Sequence, residues 1–327
     1  MTDLIFIFLF LPITLILYWV CSPRIRGFLL LFFNLVFYIG FSSRFACLFV
    51  ISVTVNIVLA RILGLPSKGQ LSKKMLLTAG IILNIIPLIY FKYSGFAVSI
   101  WNGITGSDAG TVDLLAPIGI SFYVFKAISL LVEAYRGHTS IGILDAAIYL
   151  SFFGQMISGP ISRISDINDS VVRGLCLKDE SSEILQSVSS GMVRFVMGLS
   201  KKILIANVLE NIVSEVFSDV ANVGNAGALI LWLGSICYSL QLFVDFSGYT
   251  DMAIGVSEMF GFRCPENFTH PYMTKSFSDF WRRWHISLGA WFRDYVYIPL
   301  GGSRGGVELD HPKPAYCLAF DGVVAWS

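Results

Sequence analysis

The side chains best suited to chemistry lie in one stretch, 267–302, which reads NFTHPYMTKSFSDFWRRWHISLGAWFRDYVYIPLGG. It holds a single imidazole within its Trp-rich half, His285, which is the type of side chain that can act as a general base near neutral pH. On a continuous helix His285 would share one face with Trp281, Trp284 and Leu288. A histidine among aromatic residues is more often a hydrogen-bonded packing residue, and mixed aromatic and basic residues are also typical of a membrane interface. The residue types alone therefore favour packing over catalysis.

Carboxylates in this half of the chain have basic partners within reach. Asp279 and Arg283 have the four-residue spacing of a helical ion pair. Asp245 and Asp251 interrupt an otherwise apolar run at 240–255. Carboxylates at membrane depth pair with cations or line polar cavities. We therefore expect both to form structural salt bridges with the arginines downstream, and a role as a direct catalytic acid is the less favoured alternative.

Two earlier runs are also interrupted by polar or helix-breaking residues. Lys126, Glu133 and Arg136 interrupt one of them, and Arg136 is interpreted as snorkelling from a helix end. The pair Gly159-Pro160 must break any helix near the membrane. Irregular backbone at that depth is tolerated only inside protein or beside water.

Composition identifies the elements that must position these residues. Hydrophobic residues make up 55% of the 327 and charged residues only 14%, with a mean hydropathy of +0.71. A soluble domain carries about a quarter charged residues, so an integral membrane protein is predicted. A net charge of +1 excludes a broad nucleic-acid footprint. The six cysteines have neither disulfide-framework nor metal-ligand spacing, so no metal site is predicted.

The fold class predicted is all-α, a polytopic helical bundle with roughly 8–10 transmembrane or re-entrant helices, allowing ~20 residues for each crossing. The candidate spans are 4–20, 27–42, 46–60, 75–91, 115–133, 141–158, 186–210, 226–246 and 247–262.

Loop charges predict the orientation. Arg24 and Arg26 follow the first span, and four more cations lie within 61–74. The positive-inside rule makes both loops cytoplasmic and puts the N-terminus outside. The segment 92–114, with one lysine and two aspartates, is predicted to be an outer loop.

Five strings resemble, in order, the membrane-bound O-acyltransferase superfamily, and most closely its bacterial alginate O-acetyltransferase branch. They are APIGISFYVFKAISLLVEAYRG, FFGQMISGPISR, GLSKKILIAN, FVDFSGYTDMAIG and SFSDFWRRWHISLGAWFRDYVYIPLGGSR. A more distant resemblance is to the D-alanyl transfer proteins of teichoic acid. The resemblance covers roughly 1–305, and Gly154 departs from it, because the branch usually carries proline there.

The resemblance implies a bundle with a central tunnel. An acyl group from a cytoplasmic thioester donor, with acetyl-CoA as the candidate and no bound cofactor, would pass to hydroxyls of an exported polysaccharide such as alginate. It also implies a bacterial inner membrane location, and partners among periplasmic or surface acetyl-handling proteins and the polysaccharide synthesis and export machinery.

The resemblance also assigns site residues. His285 matches the first of the family's two motif histidines and is the catalytic candidate. The second, in a Leu-Trp-His-Gly string, is the one usually assigned as catalytic, and these 327 residues do not contain that string. The residues expected to line or orient a tunnel are Asp245, Asp279, Trp281, Arg283, Trp284, Arg293 and Asp294.

The last residues do not follow the family pattern. The chain is divided into a transmembrane domain at 1–305 and a tail at 306–327, and the tail contains Asp310, Pro312 and Pro314, which cannot continue a span. A reading frame shifted by one base is compatible with Met-Gly-Leu-Trp-His-Gly at this place. We therefore expect a frameshifted or truncated tail, an inactive chain, and arginines in 276–300 that lack partners; a natural short tail is the alternative.

Two other functions remain open. A secondary transporter would share broken helices and midplane charges, but transporters usually carry internal repeats, and we find none in this sequence. A non-catalytic remnant is the second alternative.

Overall fold

Helices account for the architecture of the computed structural model, which describes residues 1–66, 69–106, 114–137, 142–157, 159–164, 181–217, 227–299 and 301–302. No strand occurs among these residues, so the all-α prediction is confirmed. The α-helices are α1 Leu11–Val20, α2 Pro23–Ser42, α3 Ala46–Gly64, α4 Gln70–Thr105, α5 Ile120–Arg136, α6 Ile143–Ser151, α7 Ser181–Ser200, α8 Asn207–Phe217, α9 Ala228–Met259, α10 Phe277–Arg283 and α11 Ile286–Phe292. π-Helical turns precede α1 (Phe6–Phe10), join α7 to α8 (Lys201–Ala206) and follow α11 (Arg293–Tyr297).

Within the part of the chain that the structure describes, three helical stretches are long and apolar enough to cross a bilayer: Pro23–Gly64, Gln70–Thr105 and Ala228–Met259. Their most apolar windows are only 22%, 11% and 11% buried, so most of this apolar surface is left for lipid. The first stretch turns sharply where α2 ends. The rings of Tyr38 and Phe49 stack with centroids 4.0 Å apart, whereas a continuous helix would separate eleven residues by ~16 Å along its axis.

Two predicted boundaries are wrong. The segment 92–114 is not a loop throughout, because α4 continues to Thr105 and ends at Gly106, whose φ of 64° provides a left-handed cap. The runs 226–246 and 247–262 are not two helices but the single helix α9. Gly248 does not break α9, because it lies against a neighbouring helix that supports it.

Paired glycines bring α7 and α9 together. A Cβ on Gly198 would lie 2.5 Å from the carbonyl oxygen of Gly248, and a Cβ on Gly191 would lie 2.6 Å from that of Gly255. The seven-residue spacing is the same on both helices, which run antiparallel. Small residues at a membrane helix interface permit close backbone approach, and dispersion and polar contacts then hold the pair together.

The segment after α6, residues 152–157 and 159–164, has irregular backbone and corresponds to the predicted break at Gly159-Pro160; it is called the re-entrant segment below. The helix predicted for 141–158 ends at Ser151, well before Pro160. The side chain of Asn34 forms hydrogen bonds at the end of this helix. Its Oδ1 accepts from Phe153 N at 3.1 Å, and its Nδ2 donates to Ser151 Oγ at 3.1 Å. Phe153 is fully buried and its ring packs 5.3 Å from that of Phe10. The irregular backbone is thus enclosed by protein, as its depth requires.

The C-terminal ends of α1 and α9 lie on the same side of the bundle. Tyr18 Oη donates to Phe260 O at 3.3 Å and Trp19 Nε1 donates to Met259 O at 3.0 Å. Arg26 donates to Cys21 O at 3.1 Å and packs on the Trp19 ring, so this cation caps α1 and is only 3% exposed. It is a structural group rather than a free loop charge.

Candidate functional site

The segment around His285 is a hairpin of two short helices. The predicted common face of Trp281, Trp284 and His285 is wrong, because α10 ends at Arg283 and His285 has a left-handed backbone (φ 45°) that starts α11. The backbone on both sides of His285 is hydrogen-bonded to an extended segment that begins at Asn267. Ile286 N donates to Asn267 O at 3.0 Å, and a second backbone hydrogen bond joins this extended segment to Arg283 O. These bonds satisfy groups that a continuous helix would otherwise pair.

His285 is partly enclosed by α9 and the 267–268 segment. Its Nδ1 lies 3.1 Å from Asn267 Oδ1, and its ring meets the Phe246 ring edge-on with centroids 4.9 Å apart. Burial disfavours the charged imidazolium and lowers the pKa of His285 to about 4. The ring is therefore neutral at physiological pH.

Asn267 connects His285 to the re-entrant segment. It is 1% exposed, and its Oδ1 accepts from Ser287 N at 3.2 Å and from Ser287 Oγ at 2.9 Å. Ser287 Oγ in turn accepts from Ile161 N at 3.0 Å. The Asn267 Nδ2 is buried and has no hydrogen-bond partner among the described residues. These hydrogen bonds thus join three separate parts of the chain, with the re-entrant segment linked to Asn267 through Ser287.

An aromatic group lies beside the histidine. Trp284 stacks on Phe280 with centroids 5.6 Å apart and meets Phe268 edge-on at 5.0 Å. Trp281 packs edge-on against Phe277 at 6.1 Å, and its Nε1 is buried without a partner in the described part of the chain. The two tryptophans share Phe280 as a neighbour, which lies 5.4 Å from Trp281 and 5.6 Å from Trp284, but they otherwise pack on different rings.

Most charged residues of the hairpin and of the π-helical turn after it are paired. Asp279 accepts from Arg283 Nε at 3.1 Å, which confirms the predicted ion pair. Asp294 pairs with Arg293 at 3.0 Å and also with Arg163. The expectation that these arginines lack partners is therefore wrong for Arg283 and Arg293.

The end of the hairpin docks on α5. Trp291 Nε1 donates to Ser129 Oγ at 2.8 Å and Tyr295 Oη donates to Glu133 Oε1 at 3.1 Å. Arg136 donates to Glu133 Oε1 at 3.2 Å and to Asp294 O at 2.9 Å, so it is a bridge between elements rather than a snorkelling residue. Arg293 and Asp294 thus lie at the α5 side, apart from the His285 contacts.

Asp245 and Asp251 pair with cations that precede them in sequence. Lys202 Nζ lies 2.6 Å from Asp245 Oδ1, and Lys201 Nζ lies 2.6 Å from Asp251 Oδ2. Arg194 also reaches Asp251, at 3.1 Å. The predicted pairing with downstream arginines is wrong. The π-helical turn Lys201–Ala206 places two consecutive lysines against α9, which helical spacing alone did not indicate.

A cavity of about 150 Å³ lies between α9, the π-helical turn and the extended segment. Its lining combines charged, hydroxyl and aromatic side chains with Asn267, and comprises Lys201, Phe243, Ser247, Thr250, Asp251, Glu266, Asn267, Phe268 and His270. Asn267 therefore belongs both to this cavity and to the histidine contact. Asn267 and Ser287 were not predicted from the sequence, because neither follows helical spacing from His285.

The chain is similar in sequence to known proteins and to one family model. Residues 123–308 match the family described as membrane-bound O-acyltransferase. The chain is 39% identical over 308 residues to the "Probable alginate O-acetylase" of Azotobacter vinelandii, covering 92% of this chain and 59% of the relative. It is 31% identical over 333 residues to the peptidoglycan O-acetyltransferase of Helicobacter pylori, covering 92% and 61%.

A third similarity is shorter. The teichoic acid D-alanyltransferase of Bacillus subtilis is 32% identical over 188 residues, which covers 57% of this chain and 46% of that protein. The chain spans about three fifths of the length of the first two relatives. The described hairpin and α9 lie within the matched range, which also covers α5 from Tyr123 onward.

Proposed function

This chain belongs to the membrane-bound O-acyltransferase family, and from that premise we propose that the protein transfers an acyl group, acetyl in the first instance, to hydroxyls of an exported polysaccharide. The observation that carries the proposal is the neutral His285 imidazole, fixed through one nitrogen to Asn267 within the region that matches the family. The alginate and peptidoglycan specificities named for the relatives make such polymers the first acceptors to test.

The reaction needs few protein groups. The hydroxyl oxygen bonds to the acyl carbon of a thioester, the carbon–sulfur bond breaks, and the thiolate leaves and is then protonated. The hydroxyl proton must pass to a base, which a positioned imidazole can supply. Buried donors aimed at the developing oxyanion would lower the barrier further. We assign His285 the role of proton acceptor or of a group that orients the hydroxyl.

The donor and location follow from the same proposal. A cytoplasmic thioester such as acetyl-CoA would deliver the acyl group from one side, and the acceptor would receive it on the other. The protein would then reside in a bacterial inner membrane beside polysaccharide synthesis and export machinery, with periplasmic or surface acetyl-handling proteins as partners. The lipid-facing helices support the membrane setting.

The alternatives have less support. A secondary transporter has no support from the relatives reported above, whose names all describe acyl transfer. A non-catalytic remnant would keep the fold and the hydrogen bonds but leave acetylation unchanged when the gene is removed.

Deletion of the chromosomal gene in its native host tests the proposal. We expect the O-acetyl content of one cell-surface or exported polysaccharide to fall to background and to return when the wild-type gene is restored, as measured by proton NMR of the purified polymer. Unchanged acetyl content in every exported polymer of the deletion strain would refute the proposed function.

A further inference from the structure

The orientation of the Asn267 side chain is fixed by its neighbours. A backbone N–H can only donate, and Ser287 N lies 3.2 Å from the Asn267 atom assigned as Oδ1. An amide NH₂ at that position would face a donor, so the assigned orientation is the one that the contacts allow. The Ser287 Oγ contact at 2.9 Å adds to the same oxygen.

This orientation determines which nitrogen of His285 carries the proton. His285 Nδ1 lies 3.1 Å from an oxygen that can only accept, so Nδ1 must carry the proton. In a neutral imidazole Nε2 then has the free lone pair. Without an acceptor at Nδ1, both tautomers would be populated and the lone pair would be on Nε2 only part of the time.

The acceptor is rigidly held. Asn267 is buried, its backbone oxygen accepts from Ile286 N at 3.0 Å, and its side-chain oxygen is shared with Ser287. Ser287 is tied to the re-entrant segment through Ile161 N. The amide cannot follow a rotating imidazole without breaking its two bonds to Ser287. The hydrogen bonds around Asn267 Oδ1 therefore orient the His285 ring as well as selecting its tautomer.

We propose that Asn267 is a positioning residue for His285 in the acyl-transfer site, holding the imidazole as the Nδ1–H tautomer so that Nε2 is the hydrogen-bond acceptor of the ring. This rests on the proposed function for its catalytic meaning, whereas the tautomer itself does not depend on any activity. The role resembles that of any group that holds a catalytic imidazole in one orientation through its second nitrogen.

Nitrogen-15 NMR of histidine-labelled protein in detergent micelles tests the tautomer directly. The chain has four histidines, and loss of a signal in His285→Asn identifies the resonances. The wild type should show a protonated Nδ1 and an unprotonated Nε2. Asn267→Asp keeps an acceptor and should keep this pattern, whereas Asn267→Leu should give averaged or reversed shifts. Ser287→Ala is the matched control and should keep the wild-type pattern. It removes the Ser287 Oγ bond to Asn267 Oδ1 but leaves the His285 contact with that oxygen.

Acetylation by the same variants in the native host tests the role. We expect Asn267→Leu to lower polymer acetylation roughly 10- to 100-fold at equal membrane level, since misplacing a reacting group has about that effect, and Asn267→Asp to restore most of it. A protonated Nε2 in the wild type would overturn the proposal, and so would full acetylation by Asn267→Leu. If the tautomer is as stated but gene deletion leaves every polymer acetylated, the proposed function fails while the tautomer assignment remains.

Discussion

At the scale of single residues, two histidines adopt the same unusual backbone in different surroundings. His285 (φ 45°) and His270 (φ 49°) are the two non-glycine residues with positive φ among those described. His285 contacts Asn267 and Phe246, whereas His270 is exposed. Asparagine tolerates this backbone nearly as well as histidine. The substitution His→Asn at the two positions is therefore a matched comparison of the imidazole alone.

Stability should depend on pH through His285. Its folded pKa of about 4 lies below the ordinary 6.5, so between these values the unfolded chain binds more protons than the folded one. The stabilising contribution is complete above pH ~6.5 and is lost as pH falls towards 4. Thermal unfolding midpoints in micelles at pH 7 and 5 should differ less in His285→Asn than in wild type. An unchanged difference between the two midpoints in His285→Asn would contradict the assignment.

At the scale of elements, the contacts that sequence patterns could not supply are the ones that join helices. The ion pair Asp279–Arg283 was predictable because its two residues are four positions apart and therefore adjacent on one helix. The Asn267–His285 contact was not, since it joins an extended segment to a left-handed residue eighteen positions away. Apolar runs located most spans, but they could not distinguish one long helix from two at 226–262, because hydrophobicity alone does not mark where a helix ends.

The glycine contact between α7 and α9 should be intolerant of a single methyl group. Gly198→Ala would place Cβ 2.5 Å from Gly248 O, a backbone atom that cannot move aside. Overpacking of this kind costs about 1–3 kcal/mol. Gly40→Ala, on α2 with nothing within 4 Å, is the control and should be neutral or slightly stabilising. Thermal unfolding of the two purified variants measures this, and equal midpoints would contradict the close approach.

The Lys202–Asp245 pair should behave as a structural unit. Its atoms lie 2.6 Å apart between the π-helical turn and α9. Removing one partner leaves an uncompensated charge, which is costly at membrane depth. Lys202→Met and Asp245→Asn should each lower thermal stability, and the double variant should be more stable than either. Additive losses would show that the two side chains do not interact, and would leave a separate role for Asp245.

At the scale of the whole molecule, the bundle has a defined polarity. The C-terminal ends of α1 and α9 meet at one side, where Trp19 and Tyr18 bond to the last residues of α9. The antiparallel partner α7 begins at that side. The tail at 306–327 lies outside the described residues, so the expectation of an out-of-frame end stays a prediction of the sequence alone.

Orientation can be read from the two ends of α4. The charge clusters near 24–26 and 61–74 predict that the loop before α4 is cytoplasmic. In a cysteine-free version of the chain, Gln70→Cys should be unlabelled by an impermeant thiol reagent applied to intact cells, whereas Thr105→Cys should be labelled. Opening the cells should expose both. Labelling of position 70 in intact cells, with none at 105, would reverse the orientation.

The most direct test of the proposed site compares the two histidines in the chromosomal gene of the native host. The measurement is the O-acetyl content of the exported polymer, normalised to the amount of protein in the membrane. His285→Asn should lower acetylation roughly 10- to 100-fold without changing the protein level, since it removes the positioned imidazole. His270→Asn should lower acetylation less than His285→Asn does, because the exposed His270 ring lines the neighbouring cavity, whereas His285 makes the contact with Asn267. Wild-type acetylation by His285→Asn at normal membrane level would make this histidine a packing residue and contradict the account of the site.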